Sequence, residues 1–288
     1  MTGLITKGIG GFYYVLTDEG IIEAKGRGIF KKEGITLAVG DVVELERTED
    51  GKGVINSIHP RKNQFIRPPI VNVDTFLVVF APARPKPNYM LIDKFLIMAE
   101  MNGIEPVLCL NKCDLVSSEE ITEIREIYDG TYPFLTISCK NGEGLEELER
   151  LVSGKKAALA GPSGVGKSTI LNHLHPEANM ETGAISQKTS RGRHTTRHVE
   201  IFQLQNGGMI YDTPGFTSFE ILEAEEDNLA GFYPEMDVLR GQCRYDDCRH
   251  GSEPDCAVRS AAEAGRIHPK RYASYLANLE EIRSRKKY

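Results

Sequence analysis

The chain has 288 residues, with 35 Lys and Arg against 41 Asp and Glu, for a formal net charge of −6. Apolar residues make up 40% and charged residues 26%, an ordinary globular balance that excludes a disordered or collagen-like chain. The mildly acidic total argues against indiscriminate nucleic-acid binding and leaves room for a local basic face.

The opening MTGLITKGIGG has no long apolar stretch, so no secretory leader is expected. The next segments, FYYVL (12–16), GIIEA (20–24), DVVEL (41–45) and GVINSI (53–58), are short, rich in β-branched and aromatic residues, and separated by Gly-containing turns. They predict a small antiparallel barrel or sandwich over 1–66. Acidic and basic residues balance there at nine each. IRPPI (66–70) breaks the pattern and reads as a linker.

Beyond it the texture changes. DTFLVVFA (74–81) is a continuous apolar run, the signature of a strand buried on both faces. The run is also the longest in the chain, far short of the roughly 18–20 residues a membrane span needs. YMLIDKFLIMAEMNG (89–103) has helical periodicity and a terminal Asn-Gly stop. IEPVLCL (104–110), FLTIS (134–138), KKAALAG (155–161) and MIY (209–211) read as strands. Ser117 with Glu120 predicts a capping box opening a helix to about Asp129, and GLEELERL (144–151) a second helix. Strands alternating with helices predict a parallel α/β sheet. From about 220 the chain reads as mostly helical with a Cys-rich insert.

Gly161-Pro162-Ser163-Gly164-Val165-Gly166-Lys167-Ser168 matches G-x-x-x-x-G-K-[ST], after a predicted strand and before a helix. In such a loop the glycines let backbone N–H groups converge on phosphate oxygens, helped by the helix dipole. Lys167 would supply a charge to the β- and γ-phosphates, Ser168 a hydroxyl to Mg²⁺, and Thr169 continues the loop into the helix. Asp212-Thr213-Pro214-Gly215 is D-x-x-G after a strand. Asp212 is expected to hold Mg²⁺ through water, and the Gly215 N–H to reach the γ-phosphate. Between these motifs lies the polar, basic QKTSRGRHTTRH (187–198), where Thr195 or Thr196 could complete the Mg²⁺ shell.

Asn111-Lys112-Cys113-Asp114 is an N-K-x-D loop after a strand. An Asp carboxylate there accepts from guanine N1–H and the exocyclic amine together, and adenine has no such donor pair. Asn111 is expected to tie this loop to the phosphate loop, and the Lys112 stem to pack on the base. Ser138-Cys139-Lys140 would present a backbone N–H to guanine O6. A P-loop ATPase or kinase is disfavoured by the N-K-x-D loop.

Near the C-terminus, Cys243, Cys248, His250 and Cys256 offer three thiolates and one imidazole within 14 residues. This is a closed tetrahedral set suited to one structural Zn²⁺. Lys188, Arg191, Arg193 and Arg197, and Arg283, Arg285, Lys286 and Lys287, are two basic groups that could meet RNA phosphates. Residues 238–288 carry eleven Lys and Arg against seven Asp and Glu.

The motif order is unusual. N-K-x-D and S-C-K precede the P-loop, the threonines and D-x-x-G, which is what a circular permutation of a GTPase fold gives. With a small β domain in front and a Cys/His cluster behind, the chain closely resembles the circularly permuted small-ribosomal-subunit biogenesis GTPases, the RsgA (YjeQ/YloQ) family. The resemblance spans nearly the whole chain. It implies an OB-fold β-barrel over 1–66, a permuted α/β P-loop GTPase domain over 71–219 and a mainly α zinc-binding domain over 220–288. It further implies GTP and GDP as ligands, hydrolysis stimulated by the 30S subunit in late maturation, contact with 16S rRNA, a monomer and a cytoplasmic location, with no membrane partner.

Two functional classes stand at this point. One is a hydrolase acting on the GTP β–γ phosphoanhydride; the other is a guanine-nucleotide-regulated RNA-binding module with negligible turnover. Phe216, where many GTPases carry a water-orienting Gln after D-x-x-G, favours the second. His194, beside the threonines, is the candidate for positioning water in the first.

Overall fold

The computed structural model describes residues 1–66, 68–178, 199–213 and 224–285. In chain order the strands are β1 (Thr2–Ile9), β2 (Phe12–Thr17), β3 (Gly20–Gly26), β4 (Val42–Arg47), β5 (Gly53–Ile58), β6 (Thr75–Phe80), β7 (Pro106–Leu110), β8 (Phe134–Thr136), β9 (Lys156–Ala160), β10 (Glu200–Gln203) and β11 (Met209–Asp212). The helices are α1 (Gly28–Lys32), α2 (Tyr89–Met101), α3 (Ser118–Glu126), α4 (Leu145–Val152), α5 (Lys167–Leu174), α6 (Pro234–Asp237), α7 (Ala257–Glu263) and α8 (Pro269–Arg285). None of them is long and apolar enough to cross a membrane.

The chain divides into two compact units. The first comprises Met1–Phe76, Glu147–Ala160 and Lys167–Thr217, and the second Leu77–Glu146, Gly161–Gly166 and Ser218–Tyr288.

In the first unit, β1 pairs with β2 and β4, β2 with β3, β3 with β5, and β5 with β4. The circuit closes a five-stranded barrel, which removes exposed sheet edges. Alternate residues of each strand point inward, so Ile5, Val15, Ile22, Val43, Leu45 and Ile55 fill the interior. Phe30 of α1 plugs the same core. Strands β1 and β10 and helix α1 are elements the sequence reading missed; in β1, Gly3 and Gly8 dilute the β signal. The far end of β1 stays paired with β2 and, on its other edge, pairs antiparallel with β10 at Lys7 and Glu200. Next to β10, β11 runs antiparallel, and β11 then pairs parallel with β9. The end of the expected linker is packed: Ile70 is fully buried and bridges to Val39, and the next residue, Val71, bridges to Gln64.

In the second unit β7 and β8 run parallel, and β7 is buried at every residue, as expected of a strand covered on both faces. Helix α2 starts where the Asn88 side chain accepts from Leu91 N at 3.2 Å, and it buries every residue from Ile92 to Ala99. Helix α3 opens with the expected capping box, Ser117 and Glu120 each satisfying the other's backbone N–H. Ile97 of α2 joins Leu229, Tyr233, Met236, Val258 and Tyr275 in one core, so the C-terminal helices are built onto α2. An ion cluster built on the buried Arg271 and Asp93 reinforces that seam. Arg271 of α8 donates to Asp93 of α2 and to Glu235 of α6, with the rings of Tyr128, Tyr132 and Tyr233 packed around its guanidinium. Lys94, the next residue of α2, pairs with Glu281 further along α8.

Candidate nucleotide and metal sites

The second unit holds the N-K-x-D loop, the S-C-K loop and Gly161–Gly166 together. Strand β7 ends at Leu110, and Asn111 N donates to Phe80 O at 2.8 Å, which fixes the loop at the sheet end. The Asn111 side chain is 2% exposed and bridges both neighbouring loops. Its Nδ2 donates to Val165 O at 2.9 Å, and its Oδ1 accepts from Cys139 N at 3.3 Å. The expected tie to the phosphate loop is therefore a direct hydrogen bond, and the same amide also holds the S-C-K loop.

Lys112 adopts a left-handed backbone, φ 65, uncommon for a non-glycine residue. That turn sends its Nζ back to Gly164 O at 2.5 Å and Arg84 O at 2.8 Å. The sequence offered Lys112 a place against the base; its ammonium head also clamps the phosphate loop, which spacing alone could not show.

Asp114 accepts from Ser138 Oγ at 2.7 Å, with Lys140 Nζ 3.5 Å from its other oxygen. The Ser138 hydroxyl foremost, then Lys140, holds its carboxyl below the usual range, so it stands ionised as a double acceptor near neutral pH. Ser138 is fully buried and accepts from Asn141 N at 3.2 Å, which fixes the hydroxyl that orients Asp114. Burial pushes the Cys113 and Cys139 thiols up to about 11 each, so both stay neutral fillers.

Glycine is required at two places in this loop. Gly166 has φ +101, and a side chain there would collide with Asn111 Nδ2. Gly161 has φ +142, and a Cβ would strike the Val79 carbonyl. Pro162, Ser163, Gly164 and Val165 lie between them, with Val165 buried.

In the first unit, α5 begins at Lys167, followed by Ser168 and Thr169. Burial pushes the Lys167 ammonium down to about 8, the behaviour of a cation whose solvation a bound anion would replace. Asp212 ends β11, directly opposite Glu200 on β10. Thr213 is buried and donates to Leu159 O at 3.3 Å, so the D-x-x-G motif leaves its strand anchored to β9. His194, Thr195, Thr196, Gly215 and Phe216, and Lys188, Arg191, Arg193, Arg197, Lys286 and Lys287, lie outside the described residues.

The four C-terminal donors converge. One ligand atom from each of Cys243, Cys248, His250 and Cys256 lies within 4.8 Å of all the others. The Cys243 sulfur is 3.9 Å from that of Cys256, and His250 Nδ1 is 3.5 Å and 3.4 Å from these two sulfurs. A tetrahedral ion with thiolate and imidazole bonds of about 2.3 and 2.0 Å sets edges of about 3.5–3.8 Å, so the set could hold a metal ion. Burial and the neighbouring sulfurs push the Cys248 thiol up to about 12, and burial lowers His250. The imidazole is thus neutral and ready to ligate, while the raised thiols of Cys248 and Cys256 would give up their protons to a bound cation.

Backbone and helix α8 hold the cluster. Ala257 N donates to Cys243 Sγ at 3.3 Å, and Arg259 N to Cys256 Sγ at 3.4 Å, so Cys256 also caps α7. Tyr272 and Tyr275 donate to the carbonyls of His250 and Arg249 at 2.7 and 2.8 Å. These supports escaped the sequence reading, although two tyrosines three apart on a polar helix were the visible signal.

Comparison with known proteins agrees with this arrangement. The chain matches the family model of the RsgA GTPase over residues 58–222 and that of the RsgA N-terminal domain over residues 2–55. It is 44% identical to the small ribosomal subunit biogenesis GTPase RsgA of Alkaliphilus metalliredigens, covering 99% of each chain. It is 45% identical to the protein of that name from Clostridium perfringens (strain 13), again over 99% of each. Among solved structures it is similar to YjeQ from Thermotoga maritima, with TM-score 0.85, 35% identity and 98% of each chain covered. It is also similar to YloQ, a circularly permuted GTPase, with TM-score 0.82, 35% identity and 99% and 95% of the two chains covered. The permuted motif order, the barrel in front and full-length identity above 40% place this chain in the RsgA family of GTP-hydrolysing enzymes.

Proposed function

We propose that this GTPase acts in late maturation of the small ribosomal subunit, binding 16S rRNA and hydrolysing GTP when the subunit stimulates it. The observation that carries the nucleotide reading is Asn111, whose side chain links the candidate base-reading loop to the candidate phosphate loop through Val165. In this reading Asp114 takes guanine N1–H and the exocyclic amine, and Cys139 presents its N–H to O6. Gly161–Gly166 cradle the phosphates, Lys167 neutralises them and Thr169 follows in the helix. Ser168, Asp212 and Thr195 or Thr196 would hold Mg²⁺, which supplies charge neutralisation at the β- and γ-oxygens. His194 positions the attacking water, and Gly215 meets the γ-phosphate. The subunit link is supported by the names of the relatives, which are biogenesis GTPases of the small ribosomal subunit.

The functional division follows 1–66, 71–219 and 220–288: barrel, permuted GTPase domain and metal-bearing domain. Zinc is the ion proposed for Cys243, Cys248, His250 and Cys256, because three thiolates and one imidazole leave no open position for a harder cation. The barrel carries one surface feature suited to RNA: the Phe12 ring lies 4.4 Å from Lys25 Nζ and 5.6 Å from Lys52 Nζ. The location is cytoplasmic and the chain monomeric in this reading.

Phosphate release from GTP, measured alone and across a titration of 30S subunits, tests the proposal. A large stimulation is expected. Nucleotide binding with no turnover at saturating subunit would instead favour the regulated RNA-binding module.

A further inference from the structure

Strand β6 hands over to helix α2 through Pro82-Ala83-Arg84-Pro85-Lys86-Pro87-Asn88, a segment that carries none of the motifs. Three prolines in these seven residues leave the backbone little freedom to lose. The segment brings two cations, and no acidic residue falls between Asp74 and Asp93. It lies against the candidate phosphate loop within the second unit. One ammonium, Lys112 Nζ, donates to both the Arg84 carbonyl and the Gly164 carbonyl. Two oxygens that share one donor group lie within about 6 Å of each other, less than the length of an extended arginine side chain. Pro85 Cδ is 3.8 Å from the place that a side chain on Gly164 would occupy. Arg84 is unusual in two further ways. Its φ is 50, a left-handed backbone that glycine adopts freely and that a residue with a Cβ adopts at a cost. Its side chain is exposed, and its guanidinium has no ion pair or hydrogen bond among the described residues. A cation spared any ion pair, carried on a costly backbone beside a loop suited to anions, serves a ligand better than it serves the fold.

We propose that Arg84 is a further nucleotide-binding residue, whose guanidinium reaches across Gly164 and donates to a phosphate oxygen of the bound GDP or GTP. The inference deepens the GTP-site reading and rests on it. An arginine fork matches two oxygens of one phosphate, and its charge does not depend on pH in the physiological range. Lys112 organises the contact, because the ammonium that steadies the phosphate loop also fixes the backbone from which the guanidinium starts. The carbonyl of Arg84 makes that bond, so replacing the side chain removes the cation and leaves the clamp in place. The chain thereby supplies a phosphate-binding cation from outside the P-loop motif, in addition to Lys167.

Arginine-selective labelling of the full-length protein with phenylglyoxal tests this, with Arg84 and the exposed Arg240 followed by peptide mass spectrometry. The arms are protein alone, guanosine, GDP, and a non-hydrolysable GTP analogue with Mg²⁺. GDP and the analogue are expected to slow labelling of Arg84 at least fivefold, whereas guanosine, which has no phosphate, leaves it unchanged. Arg240 is expected to react equally in every arm. Calorimetry on variants gives the second readout. Arg84→Gly relaxes the left-handed backbone, so it is expected to melt close to wild type while its affinity for GDP and the analogue falls about tenfold or more. Arg84→Lys keeps a charge without the fork and is expected to bind with intermediate affinity. Full labelling of Arg84 in nucleotide-saturated wild type, or Arg84→Gly binding within twofold of wild type, overturns the proposal. A fall in melting that accompanies the loss of affinity in both variants also overturns it, since a purely structural arginine gives that result. If wild type binds neither GDP nor the analogue, the GTP-site reading itself fails.

Discussion

The Asn111 amide nitrogen lies 2.9 Å from the Val165 carbonyl, and its oxygen 3.3 Å from Cys139 N, so one buried side chain ties three loops. The residues concerned are 54 and 28 positions apart in the chain. Asn111→Ala leaves a buried carbonyl and a part-buried N–H without partners, at a cost of about 1–3 kcal/mol each way. GDP affinity is expected to fall by about ten- to a hundredfold, measured by calorimetry, with the fold retained by circular dichroism.

Lys167 gives a pH signature. Its folded value of about 8 lies below the unfolded 10.5, so the free folded protein binds fewer protons than the unfolded chain between those values. Stability of the nucleotide-free protein is therefore expected to rise with pH across that window. A bound triphosphate favours the charged form and takes up a proton there. Nucleotide affinity should thus fall as pH rises from 7 to 9, approaching about tenfold per pH unit above 8. Lys167→Met should bind weakly and lose that slope.

The metal cluster predicts one zinc per chain by elemental analysis of the purified protein. Cys256→Ala removes both a ligand and the cap of α7, whereas Cys256→Ser keeps a capping oxygen but offers a harder donor. Both variants should lose zinc, and Cys256→Ala should melt lower than Cys256→Ser. A Cys256→Ala protein that keeps full zinc occupancy would contradict the ligand set.

Arg271 sits between two carboxylates from different helices, itself 2% exposed. Arg271→Met strands Asp93 as a buried charge and is expected to cost about 3–5 kcal/mol in chemical denaturation. Replacing Asp93 by Asn in the same chain removes that charge and should recover part of the loss. The single and double variants form a cycle that measures the coupling.

His194→Ala is expected to lower 30S-stimulated turnover by about a hundredfold or more, the usual contribution of a positioned proton-handling group. GTP affinity should stay within about twofold. Single-turnover phosphate release against subunit concentration reads the first, and calorimetry the second.

The chemistry-bearing motifs were legible because they are local. A glycine loop before a helix, N-K-x-D after a strand and four soft ligands within 14 residues each declare themselves through spacing. The buried parallel strands announced themselves by unbroken apolar runs such as TFLVVF. Strand β1 was hidden because Gly3, Lys7 and Gly8 interrupt its run of Thr, Leu and Ile, and because one of its partners, β10, lies nearly two hundred residues away.

By itself, then, the order of residues pointed to the groups proposed to meet a guanine, a phosphate and a metal, and showed the permuted motif order, because these depend on residue type and short spacing. Tertiary structure alone decided how the groups are held: Lys112 reaching Gly164, Arg271 buried against Asp93, Lys7 in one row with Glu200 and Asp212. Each of those contacts joins residues far apart in the chain. Their partners are chosen by the packing of whole strands and helices, which no short window of sequence contains.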